Sequence, residues 1–226
     1  GDNTAVGAHS LQVNTTGNYN VAMGQAALSS NTTGASNTAI GQGAIRNNTT
    51  GAKNVAVGTN ALDACTTADE SVAIGYDALT STQTIPRCVA VGYQALANQS
   101  GGGDQVAIGY QALEAASTGY DSVAIGKNAL TAASTGHNNA CVGYLVGDAV
   151  TGGNQNTMMG SEVGRALTTG ANNLFLGYQA GSSSGAGGEM SGGLSNRIVL
   201  GNSSIVSCNI QVDWTVHSDR RDKTDI

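Results

Sequence analysis

Five tyrosines share one position in a recurring phrase, directly after the glycine of sequences such as SVAIGYDAL at residues 71–79. Glutamine or aspartate follows several of them. A row of such side chains can stack on sugars and hydrogen-bond to them. The same row can instead cover a seam of the fold or a contact between subunits, which is the interpretation we favour. The five residues are Tyr76, Tyr93, Tyr110, Tyr144 and Tyr178.

Histidine and cysteine, which often bind metals or act as nucleophiles, are scattered through the chain. The histidines are too far apart along the repeats to form one centre: His9, His137 and His217. The cysteines show neither CxxC nor Cys/His spacing: Cys65, Cys88, Cys141 and Cys208. Cys141 replaces a repeated alanine, so we expect it to be a small core residue. No glycine-rich stretch fits a P-loop or a dinucleotide site. We therefore expect no metal site, no cofactor and no enzyme centre in the repeats.

The phrase that carries these residues recurs with a fixed period of 17 residues. Its glycine, which we call the anchor glycine, stands at Gly7, Gly24, Gly41, Gly58, Gly75, Gly92, Gly109, Gly126, Gly143, Gly160 and Gly177. A twelfth copy, RIVLG, ends at Gly201, 24 residues after the eleventh, and the additional residues lie in the 181–193 stretch. A period held without drift predicts a solenoid, because an insertion would break the stack of turns.

In each copy three residues precede the anchor glycine: an apolar residue, then an alanine in most copies, then a second apolar residue. This alternation predicts a short strand. We expect the valine and isoleucine columns to fill the interior of the coil. The alanine column, from Ala5 to Ala124 in the first eight copies, then forms a small apolar face through which copies of the chain approach each other. The alternative is that these alanines pack inside a wider monomeric coil.

The rest of each copy contains Ala-Leu, a polar loop and, in most copies, a second glycine ten residues after the anchor. We expect both glycines to form corners with positive φ, and a recurring asparagine column, from Asn3 to Asn173, to stack its amides. No copy carries a helical stripe. The sequence therefore predicts an all-β protein, a β-solenoid or β-roll with 17-residue turns, about 55 Å long at one strand spacing per turn.

The composition favours an oligomer. The chain contains 33 Gly but only one Phe and one Trp, so a single coil is thin and poorly filled. We expect a homotrimer, either intertwined or side by side, because threefold assembly is natural for a fibre. The net charge of −6 argues against nucleic acid or an acidic membrane as a partner, and no apolar run is long enough to insert into a membrane. Since the chain starts at Gly1 without a methionine or a signal peptide, we expect a fragment or a processed product.

Other solenoid functions fit the pattern less well. An acyltransferase β-helix would show apolar residues every six positions. An ice-binding solenoid needs a flat Thr-x-Thr array, whereas the threonines here are adjacent pairs such as Thr32-Thr33. Calcium-binding repeats have nine-residue periods rich in aspartate. Asn14, Asn31 and Asn48 begin Asn-Thr-Thr sequons, which matter only in a eukaryotic secretory setting.

The pattern ends near the C-terminus, where HSDRRDKTDI occupies residues 217–226. Ser218 and Asp219 are typical of a helix N-cap followed by an acidic first turn. On these grounds we expect a rod whose next domain has been cut away.

The sequence Ser-Asp-x-Arg-x-Lys, formed by Ser218, Asp219, Arg221 and Lys223, resembles the start of the C-terminal intramolecular chaperone of phage tail fibres and tailspikes, the S74 peptidase family. The resemblance implies a trimeric fibre from which the chaperone is cut after assembly. It makes Ser218 the nucleophile and Lys223 its base, supported by Asp219 and Arg221. The cleaved bond is His217–Ser218. Because this sequence lacks the rest of the chaperone, which would build and desolvate that site, we expect no cleavage by this chain alone.

The repeats, such as NTAIGQGAI and VAVGYQAL, resemble the shafts that precede such chaperones and the left-handed β-roll heads of trimeric autotransporter adhesins. The implied organisation is a shaft at 1–180, a non-repetitive distal tip with one further turn at 181–217, and the start of a chaperone at 218–226. The implied function is that of an extracellular virion fibre, a bacteriophage spacer and host-attachment element. Its partners would be a host-surface glycan or protein receptor and other tail proteins. A cell-surface trimeric adhesin is the alternative.

Overall fold

The computed structural model describes residues 1–80, 86–182 and 192–207, and these residues form a parallel β-solenoid. The predicted all-β solenoid is therefore confirmed. Twelve three-residue strands pair in chain order within one sheet. They are β1 Thr4–Val6, β2 Val21–Met23, β3 Thr38–Ile40, β4 Val55–Val57, β5 Val72–Ile74, β6 Val89–Val91, β7 Val106–Ile108, β8 Val123–Ile125, β9 Ala140–Val142, β10 Thr157–Met159, β11 Leu174–Leu176 and β12 Ile198–Leu200.

The register of the sheet follows the sequence period. Ala56 pairs with Ala73, and each subsequent pair up to β11 is one 17-residue repeat apart. Between β11 and β12 the partners are Leu174 and Ile198, so the longer interval predicted before the twelfth copy is confirmed. The stack of strands therefore continues across this longer interval.

The inward and outward faces of the strands are the reverse of the sequence prediction. In β5, Ala73 is fully buried, whereas Ile74 is 39% exposed and Val72 is partly exposed. The same pattern recurs in β2 to β8. The expectation that valine and isoleucine fill the interior and alanine forms the outer face is therefore wrong. In these turns the coil is thin, and its interior also receives a leucine or isoleucine from the bend, which leaves room for only a small strand side chain.

That leucine comes from the Ala-Leu pair, which forms a bend. In the fifth turn both Ala78 and Leu79 are fully buried, and the amide of Leu79 donates to the carbonyl of Ala95 in the next turn at 3.0 Å. The φ of Leu79 is 56°, a left-handed conformation that non-glycine residues adopt uncommonly. The bend directs the leucine inward, toward the buried alanine of the strand.

In the later turns the larger of the two interior side chains comes from the strand, and the smaller one comes from the bend. Where the buried strand residue grows to Met158 or Phe175, the leucine position of the same turn becomes Gly164 or Gly181. A Cβ on Gly181 would lie 2.6 Å from the ring of Phe175, and a Cβ on Gly164 would collide with the sulfur of Met158. The two positions therefore face each other across the interior and share one volume.

Glycine is required at the two corners of a turn for different reasons. Gly75 has a φ of 136°, and a Cβ there would collide with the carbonyl of Gly92, so conformation and space both require glycine. At the second corner the expectation of a positive φ is wrong for Gly34, which lies outside the left-handed range. Glycine is required there because a Cβ would collide with the carbonyl of Gly51 and with the side chain of Asn31.

The predicted amide stacking is confirmed. Asn54 donates from Nδ2 to Oδ1 of Asn37 at 3.1 Å and to the carbonyl of Ala68 at 2.6 Å, while its backbone amide donates to the same Oδ1 at 3.0 Å. A second inner row contains the sequon residues Asn31 and Asn48, which are fully buried and bonded to each other at 2.7 Å. These amides satisfy backbone groups inside the coil, so the folded turn leaves neither asparagine open to a glycosylating enzyme.

Candidate functional site

The outward residues of the strands form a continuous surface, which we call the apolar strip. It consists of the residues directly before and three before each anchor glycine, from Thr4 and Val6 to Ile198 and Leu200. Apart from three threonines these residues are apolar, and none is charged. Along the strip Ile74 is 39%, Ile108 38% and Met159 55% exposed. The strip is a sheet face that nothing within the described residues covers.

The size of the strip distinguishes it from scattered surface apolar residues. Twelve stacked strands extend over about 53 Å, and two columns two residues apart give a width of about 10 Å with their side chains. The resulting patch of about 500 Å² is comparable to the largest apolar patches on monomeric proteins, which are often functional. A straight apolar face of this size is suited to contact with another protein surface.

The tyrosine column borders the strip on the side that follows the anchor glycines. Tyr76, Tyr93 and Tyr110 stack on one another with ring centroids 5.5 and 5.1 Å apart and ring planes within 9°. In the next turn Lys127 takes the place of tyrosine, and its Nζ lies 5.6 Å from the ring of Tyr110 and 6.0 Å from that of Tyr144. The ammonium therefore lies between two aromatic rings and extends the stack by a cation–π interaction.

This stacking limits how the predicted tyrosines can bind a ligand. The structure brings Tyr76, Tyr93 and Tyr110 together, whereas Ser161 separates Tyr144 from Tyr178 in the column. The three stacked rings present their edges and hydroxyls to solvent and their faces mainly to each other. A sugar along this column would meet a row of hydroxyls and the neighbouring glutamines rather than open ring faces. Sugar binding by the five tyrosines stays a prediction.

A charged column borders the strip on its other side, five residues before the anchor glycine of the fourth to eighth turns: Lys53, Glu70, Arg87, Asp104 and Asp121. Lys53 donates to Glu70 at 2.8 Å, and Arg87 donates to Asp104 with an Nη2–Oδ2 distance of 2.8 Å. The hydrogen bond from Lys53 lowers the pKa of Glu70, and the hydrogen bond from Arg87 lowers the pKa of Asp104. All five residues are exposed, so these pairs contribute little to stability.

Sequence reasoning missed this column, although the 17-residue spacing of its opposite charges was present in the sequence as a signal. Asp121 continues the column but has no ion-pair partner among the described residues, and neither does Lys127 on the opposite border of the strip. Both side chains are exposed. The strip therefore has one unpaired acid and one unpaired base on its two borders within a single turn.

The threonine face lies elsewhere on the coil and uses most of its hydrogen-bonding capacity internally. Thr15 donates from Oγ1 to the carbonyl of Thr32 at 2.8 Å, and Thr32 donates in the same way to Thr49 at 2.9 Å. The second threonine of each pair, such as Thr33, remains exposed. This leaves a single outward row, whereas a flat two-column array is what an ice-binding surface needs.

The described residues contain no cluster of three histidine, cysteine or acidic side chains that could hold a metal ion. Cys65, Cys88 and Cys141 are buried, which confirms Cys141 as a core residue. Burial raises the pKa of the Cys88 and Cys141 thiols, so both are poor nucleophiles. No helix among the described residues is long and apolar enough to cross a membrane.

The predicted cleavage site lies outside the described residues. This applies to His217, Ser218, Asp219, Arg221 and Lys223, so their roles stay predictions. About half of the predicted tip at 181–217, residues 183–191 and 208–217, is also outside the described ranges. No protein-family model, no curated protein and no solved structure matches this chain.

Proposed function

We propose that this chain is the shaft of a surface fibre in which three copies lie side by side and carry a host-attachment tip. A bacteriophage tail fibre is the assignment we favour, because Ser218 to Lys223 resemble the junction between such fibres and their S74 chaperone. The resemblance of the repeats to adhesin heads makes a trimeric cell-surface adhesin the second candidate. In either setting the shaft acts as a spacer, since each added turn lengthens it by one strand spacing.

The observation that carries this proposal is the apolar strip. Apart from three threonines its residues are apolar along twelve strands in the same register, whereas the interior is already filled, mainly by alanines and leucines. Selection of valine and isoleucine at outward positions therefore needs another reason, and burial against further copies of the chain supplies one. A closed ring of three copies would place the three strips around a common axis and remove them all from water.

The remaining surface supports a structural role. The corners, amide rows and hydroxyls bond to the next turn of the same chain, and the buried thiols have raised pKa values. These polar groups thus link each turn to the next, as a rod requires. Recognition of a host receptor is assigned to the distal tip rather than to the shaft.

The first test is the absolute mass of the chain in solution, measured by light scattering after size exclusion. We expect three times the chain mass of 22.5 kDa in an elongated particle. Ile108→Glu, which places a charge in the centre of the strip, should shift the mass toward that of one chain. Thr118→Glu is the matched control, because Thr118 is an exposed residue of the next polar loop.

A wild-type chain that is monomeric at all accessible concentrations would overturn the trimer. A trimer that tolerates Ile108→Glu as well as it tolerates Thr118→Glu would show that the strip is not the contact. Circular dichroism of both variants distinguishes loss of assembly from loss of folding, because Ile108 is partly exposed and its replacement should leave the coil intact.

A further inference from the structure

The two borders of the apolar strip have complementary chemistry turn by turn. In the fifth to eighth turns the charged column presents Glu70, Arg87, Asp104 and Asp121, and the tyrosine column presents Tyr76, Tyr93, Tyr110 and Lys127. The eighth turn, with Asp121 and Lys127, is the one turn in the described residues that has a charge on both borders. These two charges are opposite in sign and unpaired within the chain.

Asp121 and Lys127 are separated within one chain by the strand Val123–Ile125. An extended strand rises about 3.3 Å per residue, so the two borders lie more than about 10 Å apart across the strip. Their ion pair, if it forms, therefore requires a second copy. Along the rod axis, by contrast, the two residues belong to the same turn and differ in height by less than one strand spacing of about 4.8 Å.

Rotation about an axis parallel to the rod leaves the height of every residue unchanged. In such a ring the strips face the axis, and the charged border of one copy lies beside the tyrosine border of the next. Residues of the same turn then meet. In an antiparallel pair each border would instead meet its own counterpart, which would place the charged columns against each other and leave Lys127 beside tyrosines.

We propose that copies of this chain associate in parallel and in register, with Asp121 of one copy paired with Lys127 of the next. This inference rests on the proposed trimer and adds its direction, its register and its contact residues. In the neighbouring turns the hydroxyls of Tyr76 and Tyr110 donate to Glu70 and Asp104 of the next copy. Both faces of the Tyr93 ring are covered by Tyr76 and Tyr110, so the guanidinium of Arg87 donates to the hydroxyl oxygen of Tyr93 of the next copy.

The ion pair selects register as well as partner. A shift of one turn in one direction places Lys127 beside Asp104, whose charge Arg87 already neutralises. A shift in the other direction places it beside Asn138, which has no charge. The unpaired Asp121 therefore distinguishes the in-register contact from its two nearest alternatives, which is a typical use of charge at an interface.

A zero-length carbodiimide cross-link tests this contact, because it joins a carboxylate to an amine only when the two are paired. The only amines of the full chain are the three lysines, at Lys53, Lys127 and Lys223, and the α-amino group of Gly1, so few products are possible. We expect covalent dimers and trimers on a denaturing gel, and a linked peptide containing Asp121 and Lys127 by mass spectrometry. Lys127→Arg keeps the charge but cannot form the amide, so it should abolish these bands while the mass in solution stays trimeric. Lys53→Arg is the control that should retain them.

The outcomes separate the two proposals. A wild-type chain that is monomeric by light scattering overturns the trimer and the contact together. A trimer whose linked peptide joins Lys127 to a residue other than Asp121, or that shows no link through Lys127, overturns the contact and leaves the trimer standing. Charge exchange gives a second, independent measurement: Lys127→Asp should weaken assembly at least tenfold, and the double variant Lys127→Asp with Asp121→Lys should restore it. No restoration would contradict the pairing.

Discussion

The interior of the coil is filled in one way in the earlier turns and in another way in the later turns. From β2 to β8 a buried alanine in the strand faces a buried leucine or isoleucine in the bend. From β9 to β11 the strand supplies Cys141, Met158 and Phe175, and the bend supplies glycine. The backbone conformation is retained, since Gly147 has a φ of 59° and Leu130 one of 50°.

The comparison shows that the fold specifies a volume for each turn rather than a residue at each position. Protein interiors are packed to the density of organic crystals, so a larger side chain in the strand must be matched by a smaller one opposite it. The glycines of the later turns also adopt the left-handed bend without the cost that leucine incurs there. Both types of turn present the same outward strip, through which we propose that copies of the chain associate.

The largest expected effect comes from removing the strand side chain of a later turn. Met158→Ala should lower the free energy of unfolding by about 2–5 kcal/mol, because Gly164 opposite it cannot fill the cavity. The double variant Met158→Ala with Gly164→Leu gives these two positions the residues of the earlier turns and should recover most of the loss. Denaturant unfolding followed by circular dichroism measures both.

Thr169→Ala in the same turn is the control for this pair of variants. Thr169 is exposed, so its replacement should change stability by no more than about 0.5 kcal/mol. If Gly164→Leu failed to improve on Met158→Ala, the two positions would not share a volume and the exchange would be coincidental.

The reverse conversion should have an intermediate effect. Ala107→Phe overfills an earlier turn, in which Leu113 already occupies the interior, and should lower the free energy of unfolding by about 1–3 kcal/mol. Adding Leu113→Gly makes room for the ring and reproduces the later type of turn. A shift of the denaturation midpoint back toward wild type is the expected result, and equal midpoints for the single and double variants would contradict it.

The sequence was sufficient to predict the solenoid, its period and its twelfth turn, because these depend on spacing alone. It was insufficient to predict which face of the strand points into the coil. Val72, Ala73 and Ile74 are all apolar, and a two-residue alternation does not identify the inner side. That choice depends on the volume remaining beside Leu79, which is a property of the folded bend. The left-handed φ of that leucine has no sequence signature, because glycine and asparagine are the residues expected there.

An exposed apolar face was expected from the sequence, but from the wrong residues. The alanine column was expected to form it, whereas the valine and isoleucine columns are the exposed ones. The tyrosine column was recognised from the sequence, but its stacking depends on ring orientation. The sequence alone did not identify Lys127 and Asp121 as candidate contact residues, because that role depends on where they lie relative to the strip.

The smallest expected effect concerns Ile45, the β-branched residue among the leucines of the earlier bends. Ile45 is fully buried and has a φ of 49°, a conformation that branching at Cβ disfavours. Leu28 and Leu62 occupy the equivalent positions in the adjacent turns, so leucine fits both the space and the bend. Ile45→Leu should therefore raise the free energy of unfolding by about 0.5 kcal/mol, read as a small upward shift of the denaturation midpoint. A loss of stability would mean that packing around this turn has adapted to the isoleucine shape, and that the earlier turns are less interchangeable than their repeated sequence indicates.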